Sequence, residues 1–288
     1  MSNSIRRVVF SFIFIFMAMC AWSNTRHALV IGIGTYQDPA WEKINGDRDV
    51  SIVVDMLQVL GYQDVMTLVN EQATKSAIIT AFEHLLERCE KGDWVYVHFS
   101  GHGQRVTDVD GDEQDDGWDE SWIPYDAYLK YGPHDCGEKH LVDDEVGCWL
   151  TKIRHAVGKK GQIVVSVDAC HSGDSSRELD DVPVRGVIQH FIIPDTPKRT
   201  AAKMPEYWLT LSACKPFQRN CEVHTDNGYY GMLSYALYRL YQNFKGKDNV
   251  EVLTLLNKFV NTHRGTLPQS PQLTGEKDKY EVVHAFYD

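Results

Sequence analysis

The sequence VVSVDACHSGDSS at residues 164–176 begins with apolar residues and ends with polar ones. Its β-branched apolar start predicts a buried strand, and Asp168, Cys170 and His171 follow where that strand ends. A second stretch, DWVYVHFSGHG at residues 93–103, has the same plan and ends in His102 and Gly103. In α/β proteins, polar residues that follow buried strands stand at the sheet edge where chemistry is located.

Outward from these two stretches, strand and helix patterns alternate along the chain. Apolar runs at 26–34, 64–70, 93–103, 161–173 and 205–214 predict strands, and YEVVHAFY at 280–287 predicts an edge strand. Helical spacing predicts helices at 49–62, at 74–92 with Thr74 as N-cap, and at 143–157, 228–244 and 249–265. We therefore predict an α/β fold with a mainly parallel central sheet flanked by helices.

The N-terminal residues and the net charge bear on compartment and partners. Arg6 and Arg7 precede an apolar run that ends at Ala21, and Ala21-Trp22-Ser23 resembles a cleavage site. We therefore expect residues 1–23 to be a signal peptide and the mature protein to be secreted or periplasmic, with no stable membrane insertion. The alternative is an uncleaved anchor that tethers the protein to the membrane. A formal net charge of −11 argues against a nucleic-acid partner.

Seven cysteines include Cys20, which would leave with the signal peptide. Two pairs, Cys136 with Cys148 and Cys214 with Cys221, are close enough in sequence to suggest disulfides in an exported protein. If Cys170 is a free nucleophile, at least one other cysteine must also be unpaired.

The reactive groups at the two strand ends complement each other chemically. A thiol needs a base to become a thiolate, and His102 at a neighbouring strand end would supply it to Cys170. His171 competes for this role, but as a chain neighbour it should point away from Cys170. The N–H groups of Gly103 and Cys170 would form an oxyanion hole. A lone cysteine or histidine is usually structural, whereas this pair predicts a cysteine hydrolase.

At these residues the sequence resembles the caspase-like cysteine peptidases, and within them the metacaspases and their bacterial relatives. The resemblance runs from Arg26 to the C-terminus and rests on the motifs ALVIGIGTY, INGDRDV, VHFSGHGQRV, LVDDEV, VDACHSGDSS, LSACKPFQRNCE and GYYGMLSYALYRL. It implies the caspase-like fold for residues 24–288. Residues 24–176 would resemble the large subunit, residues 177–204 a linker, and residues 205–288 the small subunit.

The resemblance also implies an endopeptidase that cuts polypeptides after Arg or Lys through a Cys–His dyad. Asp168 and Asp49 match the family's acidic S1 residues, and Ser100 matches a serine that lines the same pocket. Two carboxylates would pair with a guanidinium or ammonium group and would repel a P1 aspartate. The chemistry itself would need no cofactor.

Many metacaspases need calcium, and Asp119, Asp143 and Asp144 match three positions of that site. The fourth position falls on Arg177, where Glu178 or Asp180 would have to substitute. The acidic tract at 108–116 resembles an EF-hand loop, but its Gly111 is at position 4 and not 6. We therefore interpret that tract as a solvated loop.

The linker, the alternative functions and the oligomeric state complete the expectations from the sequence. The linker carries Arg177, Arg185, Lys198, Arg199 and Lys203 as exposed basic residues, where a basic-specific peptidase could cut itself. The alternatives in function are a catalytically idle caspase-like binding module and a legumain- or gingipain-type peptidase with another P1 preference. We favour a monomer.

Overall fold

The computed structural model describes residues 24–113, 116–171, 183–194, 205–265 and 267–287. The expected signal peptide lies outside the described residues, as do Arg177, Glu178, Asp180, Lys198, Arg199 and Lys203. Within the described ranges, no helix combines the length and the hydropathy that crossing a bilayer requires.

The strands, in chain order, are β1 Arg26–Gly32, β2 Asp64–Val69, β3 Trp94–Ser100, β4 Gly103–Thr107, β5 Trp118–Trp122, β6 Leu141–Val142, β7 Gln162–Asp168, β8 Leu209–Ser212, β9 Glu222–Thr225, β10 Gly228–Gly231 and β11 Gln272–Gly275. The α-helices are α1 Gly46–Val59, α2 Lys75–Arg88, α3 Asp143–Val157, α4 Met232–Leu240 and α5 Asn249–His263. Short 3₁₀ helices span Asn70–Gln72, Tyr241–Phe244 and Val282–Ala285.

The central sheet has the strand order β11-β8-β7-β3-β1-β2, and its strands are parallel except for β11, which runs antiparallel to β8. Helices α1, α4 and α5 cover one face, and α2 and α3 cover the other. Both faces of the sheet are apolar and are buried by helices, as strand β3 illustrates. Its Tyr96 faces α1, α4 and α5, whereas Val95, Val97 and Phe99 face α2 and α3. The predicted mainly parallel α/β sheet is confirmed.

Local signals in the sequence explain where two of the helices begin. The Thr74 hydroxyl accepts a hydrogen bond from the Ala77 N–H at 3.3 Å, as predicted for the N-cap of α2. Helix α5 begins with a capping box between Asp248 and Glu251.

The C-terminal stretch at 280–287 is not the predicted edge strand. The segment forms a short 3₁₀ helix, in which Val282 is buried and after which Phe286 is buried as well. The Phe286 ring packs edge-on against the Tyr96 ring, with the ring centroids 6.2 Å apart. The two edge strands of the central sheet are β2 and β11, and the QLTG sequence of β11 carries only one large apolar residue. Short apolar runs do not distinguish a strand from a helical turn, which explains the error.

All six cysteines of the described residues are free thiols, so the two expected disulfides are absent. Cys136 lies in an exposed loop, where its thiol donates a hydrogen bond to the Gly132 carbonyl, and Cys148 is exposed on α3. The buried Cys214 thiol donates to the Gln218 carbonyl at 3.4 Å, while Cys221 lies in a β-bridge with Val184. Proximity in sequence did not bring either pair together.

Candidate active site

The two reactive strand ends are neighbours at one edge of the central sheet. Strands β3 and β7 pair in register, with Ser100 opposite Asp168. His102 and Cys170 each follow by two residues, and both approach Gly186. The Gly186 N–H donates a hydrogen bond to His102 Nδ1 at 3.0 Å, and a Cβ atom on Gly186 would lie 3.1 Å from the Cys170 Cβ. The parallel sheet thus brings together the two residues that the sequence predicted as a pair.

The His102 ring is held in a defined tautomer and orientation. It lies between the rings of Tyr36 and Trp41, and the centroid of each ring is 5.3 Å from that of the imidazole. The Tyr36 hydroxyl also accepts a hydrogen bond from the backbone N–H of His102 at 2.7 Å. Nε2 lies 2.8 Å from the Glu42 carbonyl oxygen, to which it can only donate. Nδ1 accepts the Gly186 N–H, so the two contacts together require the Nε2–H tautomer. The Glu42 carbonyl therefore orients the imidazole.

The electrostatic setting keeps this imidazole neutral. His102 is 1% exposed, and burial lowers its pKa to about 4 against the raising effect of the Glu42 carbonyl. The positive charge of Arg185 lowers the pKa further. A neutral ring with an unprotonated Nδ1 has the form that a base needs near neutral pH.

Cys170 is buried, and its thiol donates a hydrogen bond to the Gln218 carbonyl at 2.7 Å. Gly103 packs tightly against the backbone behind it, since a Cβ atom on Gly103 would lie 2.7 Å from the Cys170 carbonyl oxygen. The imidazole of His171, the competing candidate for the base, pairs with a carboxylate. Its Nδ1 lies 3.2 Å from Glu120 Oε2, and this carboxylate raises the pKa of His171 despite the opposing effect of burial.

The three predicted S1 residues meet in one buried acidic pocket. Asp49, Ser100 and Asp168 are each 0% exposed. The Ser100 hydroxyl donates to Asp49 Oδ2 at 2.7 Å, and the Gly231 N–H donates to both oxygens of Asp49 at 3.0 and 3.2 Å. Asp168 accepts from the Ser234 N–H and hydroxyl at 2.7 and 2.6 Å.

The side chain that fills this pocket is Arg185 of the same chain. Its Nη1 donates to Asp49 Oδ2 at 2.8 Å and to the Ser100 hydroxyl at 2.6 Å. Its Nε and Nη2 donate to Glu222 Oε1 at 3.1 and 2.9 Å. Asp168 Oδ1 lies 3.7 Å from Nη1. The expectation that Arg185 is an exposed linker residue is therefore wrong, because its side chain is fully buried.

The charges in the pocket shift each other's pKa values. Burial raises the pKa of Asp49 to about 6, while Arg185 lowers it and Asp168 raises it. Burial alone would lower the pKa of Arg185, but Asp49, Asp168 and Glu222 raise it above its ordinary value. A cation and carboxylates that are all buried stabilise each other's charged forms here.

The backbone around Arg185 binds as an added strand. The Arg185 N–H donates to the Asn220 carbonyl at 2.9 Å, and the Glu222 N–H donates to the Pro183 carbonyl at 3.0 Å. Between them, Val184 and Cys221 form an antiparallel bridge. Peptides often bind proteins through such strand addition, in which main-chain hydrogen bonds hold the peptide and pockets select side chains.

Sequence reasoning missed several residues of the pocket. Glu222 completes its acidic wall from β9, Asn220 donates to Asp168 Oδ1 at 2.7 Å, and Gly231 leaves room for the guanidinium. A Cβ atom on Gly231 would lie 2.3 Å from Arg185 Nη1. All three lie between residues 220 and 231, far along the chain from Asp49 and Ser100. Their presence in the motifs LSACKPFQRNCE and GYYGMLSYALYRL is the one signal in the sequence that could have suggested them.

The acidic residues after β4 form a second cluster. Asp108, Asp112 and Asp119 each offer an oxygen within 4.8 Å of the others, and Asp110, Asp112 and Asp144 do the same. The tract at 108–113 is thus not the solvated loop we expected, because Asp112 is only 8% exposed. Asp143 belongs to neither group and instead accepts the Glu120 N–H at 3.2 Å.

The cluster fits a hard divalent cation. Oδ1 of Asp112 and Oδ1 of Asp119 are buried without a hydrogen-bond partner. Burial, followed by the negative charges of Asp143, Asp108, Asp144 and Asp110, raises the pKa of Asp119 to about 8. Several converging carboxylate oxygens are the ligand set that calcium prefers.

Comparisons with known proteins show what this chain is similar to. A family model described as the caspase domain matches residues 25–280. Among curated proteins, metacaspase-1B of Aspergillus terreus is 32% identical over 162 residues, covering 53% of this chain and 39% of the relative. Metacaspase-1B of Aspergillus niger is 25% identical over 303 residues, covering 88% of this chain and 65% of the relative. The matches thus span about a third to two thirds of the length of the first such relatives.

Solved structures share the fold at low sequence identity. A structural-genomics protein of Geobacter sulfurreducens superposes with a TM-score of 0.62 at 22% identity, covering 90% of this chain and 98% of that chain. Caspase-1 from Spodoptera frugiperda gives a TM-score of 0.53 at 12% identity, with coverage of 88% and 86%.

Proposed function

Because the chain belongs to the caspase domain family, we propose that it is a cysteine endopeptidase that cuts polypeptides after arginine or lysine. The observation that carries this proposal is the Arg185 side chain in the acidic pocket beside Cys170 and His102. A P1 arginine of a substrate would find the same carboxylates there. A P1 aspartate would meet three of them and would be repelled.

The pocket chemistry supports arginine over lysine. The Arg185 guanidinium donates simultaneously to Asp49, Ser100 and Glu222, which stand on different sides of it. A planar guanidinium has five donors for such a set, whereas a lysine ammonium is a compact point charge with three. We therefore expect both residues to be accepted and arginine to be preferred.

The proposed chemistry is a two-step acyl transfer. The Cys170 thiol passes its proton to His102 Nδ1, and the sulfur attacks the carbonyl carbon of the P1 residue. The carbon–nitrogen bond then breaks, and His102 returns the proton to the leaving amine. Water, with His102 again as base, hydrolyses the thioester. The N–H groups of Gly103 and Cys170 stabilise the oxyanion in both steps, and the Glu42 carbonyl keeps Nε2 protonated throughout.

Two further properties belong to the proposal. The acidic cluster would hold calcium through Asp108, Asp112 and Asp119, with Asp110 and Asp144 beside them. This ligand set does not require an acidic residue at position 177. Residues 1–23 would direct the chain out of the cytoplasm, and the enzyme would act as a monomer.

The test uses fluorogenic peptides that differ only at P1, with Arg, Lys, Asn or Asp, and compares the wild-type chain with Cys170→Ala. We expect turnover after Arg and Lys that is absent in the variant. Turnover confined to Asn or Asp would refute the basic specificity and favour a legumain-type enzyme. A folded protein without turnover on any peptide would favour the idle binding module.

A further inference from the structure

A cavity of about 330 Å³ borders Cys170 on the face of the central sheet opposite to the acidic pocket. The acidic pocket includes Asp49 from α1 and Ser234 from α4, two helices that cover one face of the sheet. The cavity includes Val146 and Leu150 from α3, which covers the other face. The proposed nucleophile therefore has a pocket on each side of it, and only the first has been given a role so far.

The sequence of β8 explains why room remains on this face of the sheet. In LTLS, Leu209 and Leu211 are buried on the face that α1, α4 and α5 cover, whereas Thr210 and Ser212 line the cavity. Gly147 of α3, which also lines the cavity, has no side chain. Small residues at these positions leave a space that large residues would fill in a close-packed interior.

The walls of the cavity suit an apolar side chain. Trp122 and Trp208 are each only 5% exposed, so most of their ring surface is packed. A volume of about 330 Å³ is at the lower end of the range of roughly 300–1,000 Å³ that is typical of ligand pockets, which are lined mainly by apolar residues. The apolar walls are formed by Trp122, Val146, Leu150, Val165, Val167 and Trp208.

The charged groups of the cavity disfavour an acidic occupant. Among the described residues that line it, carboxylates outnumber basic groups by four to two, and one of the basic groups, His171, already pairs with Glu120 at 3.2 Å. An added carboxylate would therefore meet like charge. The carboxylates belong to Glu120, Asp143, Asp144 and Glu206, and the basic groups to His171 and Lys215.

A bound substrate would present consecutive side chains to the two pockets. We call the residue after the bond that is cut P1′. Neighbouring side chains of an extended peptide point to opposite sides. With a P1 arginine in the acidic pocket, where the Arg185 side chain lies, the P1′ side chain would point to the other side of Cys170. That is the side on which the cavity lies.

Gly186 stands where the P1′ residue would bind, and it contributes no side chain. Its φ is +142°, a backbone conformation that L side chains rarely adopt, and a Cβ atom there would lie 2.2 Å from the Cys170 carbonyl oxygen. A substrate residue with a side chain therefore cannot copy this conformation. In the extended conformation that remains open to it, its side chain turns towards the cavity.

We propose that this cavity is the P1′ subsite, and that the enzyme prefers polypeptides with a large apolar residue, such as leucine or phenylalanine, directly after the basic residue. The inference rests on the proposed function, since it requires that Cys170 attacks the carbonyl carbon of a P1 arginine or lysine. The amine of the P1′ residue leaves when the thioester forms. Contacts in the cavity therefore act on thioester formation and not on its later hydrolysis, so the preference belongs in kcat/KM.

The test uses internally quenched peptides that carry P1 Arg and differ only at P1′, with Leu, Phe, Ala, Gly or Asp. Mass spectrometry of the products establishes which bond is cut. We expect kcat/KM for Leu and Phe to exceed that for Gly by at least about tenfold, and Asp to give the lowest value. Equal values for Leu, Phe and Gly, or a preference for Gly or Asp, would overturn the subsite and leave the proposed function intact. A folded protein that cuts none of these peptides would overturn both proposals.

A variant that fills the cavity tests where the P1′ side chain binds. Ser212 pairs in register with Val167 near the end of β7, so Ser212→Phe would place a ring in the cavity close to Cys170. We expect the ratio of Leu to Gly kcat/KM to fall towards one. Ser51→Phe, the same substitution on the exposed side of α1, is the matched control and should keep the wild-type ratio.

Thermal unfolding establishes which of the cavity variants fold, and Thr210→Phe is the second variant if Ser212→Phe does not. In either variant, a folded protein that keeps the wild-type ratio of Leu to Gly would show that the P1′ side chain binds elsewhere. That result would overturn the assignment of the cavity.

Discussion

Asp49→Asn removes one charge from the acidic pocket and retains the shape of the side chain. Asp49 is fully buried, and its Oδ2 lies 2.8 Å from the guanidinium of Arg185, the group that a P1 arginine would place there. Removing one member of a buried, hydrogen-bonded charge pair costs about 2–5 kcal/mol. Because Glu222 and Asp168 remain, we expect the lower part of this range.

A loss of about 2–3 kcal/mol corresponds to a fall of roughly 30- to 150-fold in kcat/KM for a P1 Arg substrate. The assay compares P1 Arg with P1 citrulline, which has nearly the same shape without the charge. The ratio of the two kcat/KM values isolates the charge interaction, and it is unaffected by any change in how firmly Arg185 occupies the pocket.

Asp55→Asn is the matched control, because it removes the same charge from the exposed side of α1. We expect its Arg-to-citrulline ratio to equal that of the wild type. An Asp49→Asn protein that folds normally and keeps the wild-type ratio would refute the idea that this carboxylate binds the P1 side chain.

Three other predictions concern the pocket and the acidic cluster. Gly231→Ala would place a methyl group 2.3 Å from the position of Arg185 Nη1, where the end of a P1 arginine or citrulline would lie, so hydrolysis of both peptides should fall by at least about tenfold; unchanged hydrolysis of either peptide would contradict this. Because the pKa of Asp49 is raised to about 6, kcat/KM for Arg should decline as the pH is lowered through that value and the carboxylate loses its charge. A ratio of Arg to citrulline kcat/KM that does not change from pH 8 to 5 would contradict a role for the Asp49 charge. Calcium should raise the unfolding temperature of the wild type but not of Asp119→Asn, and a similar rise in both would exclude Asp119 as a ligand.

The parts of the site that the sequence predicted well are those fixed by strand order. Apolar runs that end in Ser100-Gly-His102 and in Asp168-Ala-Cys170 had to finish at one edge once the sheet was parallel. The fold class and the meeting of these residues follow from that single property, and the structure confirms both.

The remaining features depend on contacts between distant segments, for which a local pattern gives no signal. Arg185 belongs to a polar segment that is typical of an exposed linker. The packing of residues 183–186 against residues 220–222 reveals that its side chain is buried. The tract at 108–113 has the composition of a solvated loop, but it folds back on Asp119. Glu222 and Gly231 reach the pocket from a hairpin that the helical pattern at 228–244 concealed.

The most direct test of the proposed chemistry is covalent labelling of the full chain with matched peptidyl acyloxymethyl ketones that carry Arg or Asp at P1. Mass spectrometry then locates the modified residue, and His102→Ala serves as the variant without the base. We expect the Arg probe to label Cys170, the Asp probe to leave it unmodified, and the His102→Ala protein to react much more slowly. Equal labelling by both probes, or labelling at another cysteine while Cys170 remains free, would contradict a basic-specific enzyme with Cys170 as its nucleophile.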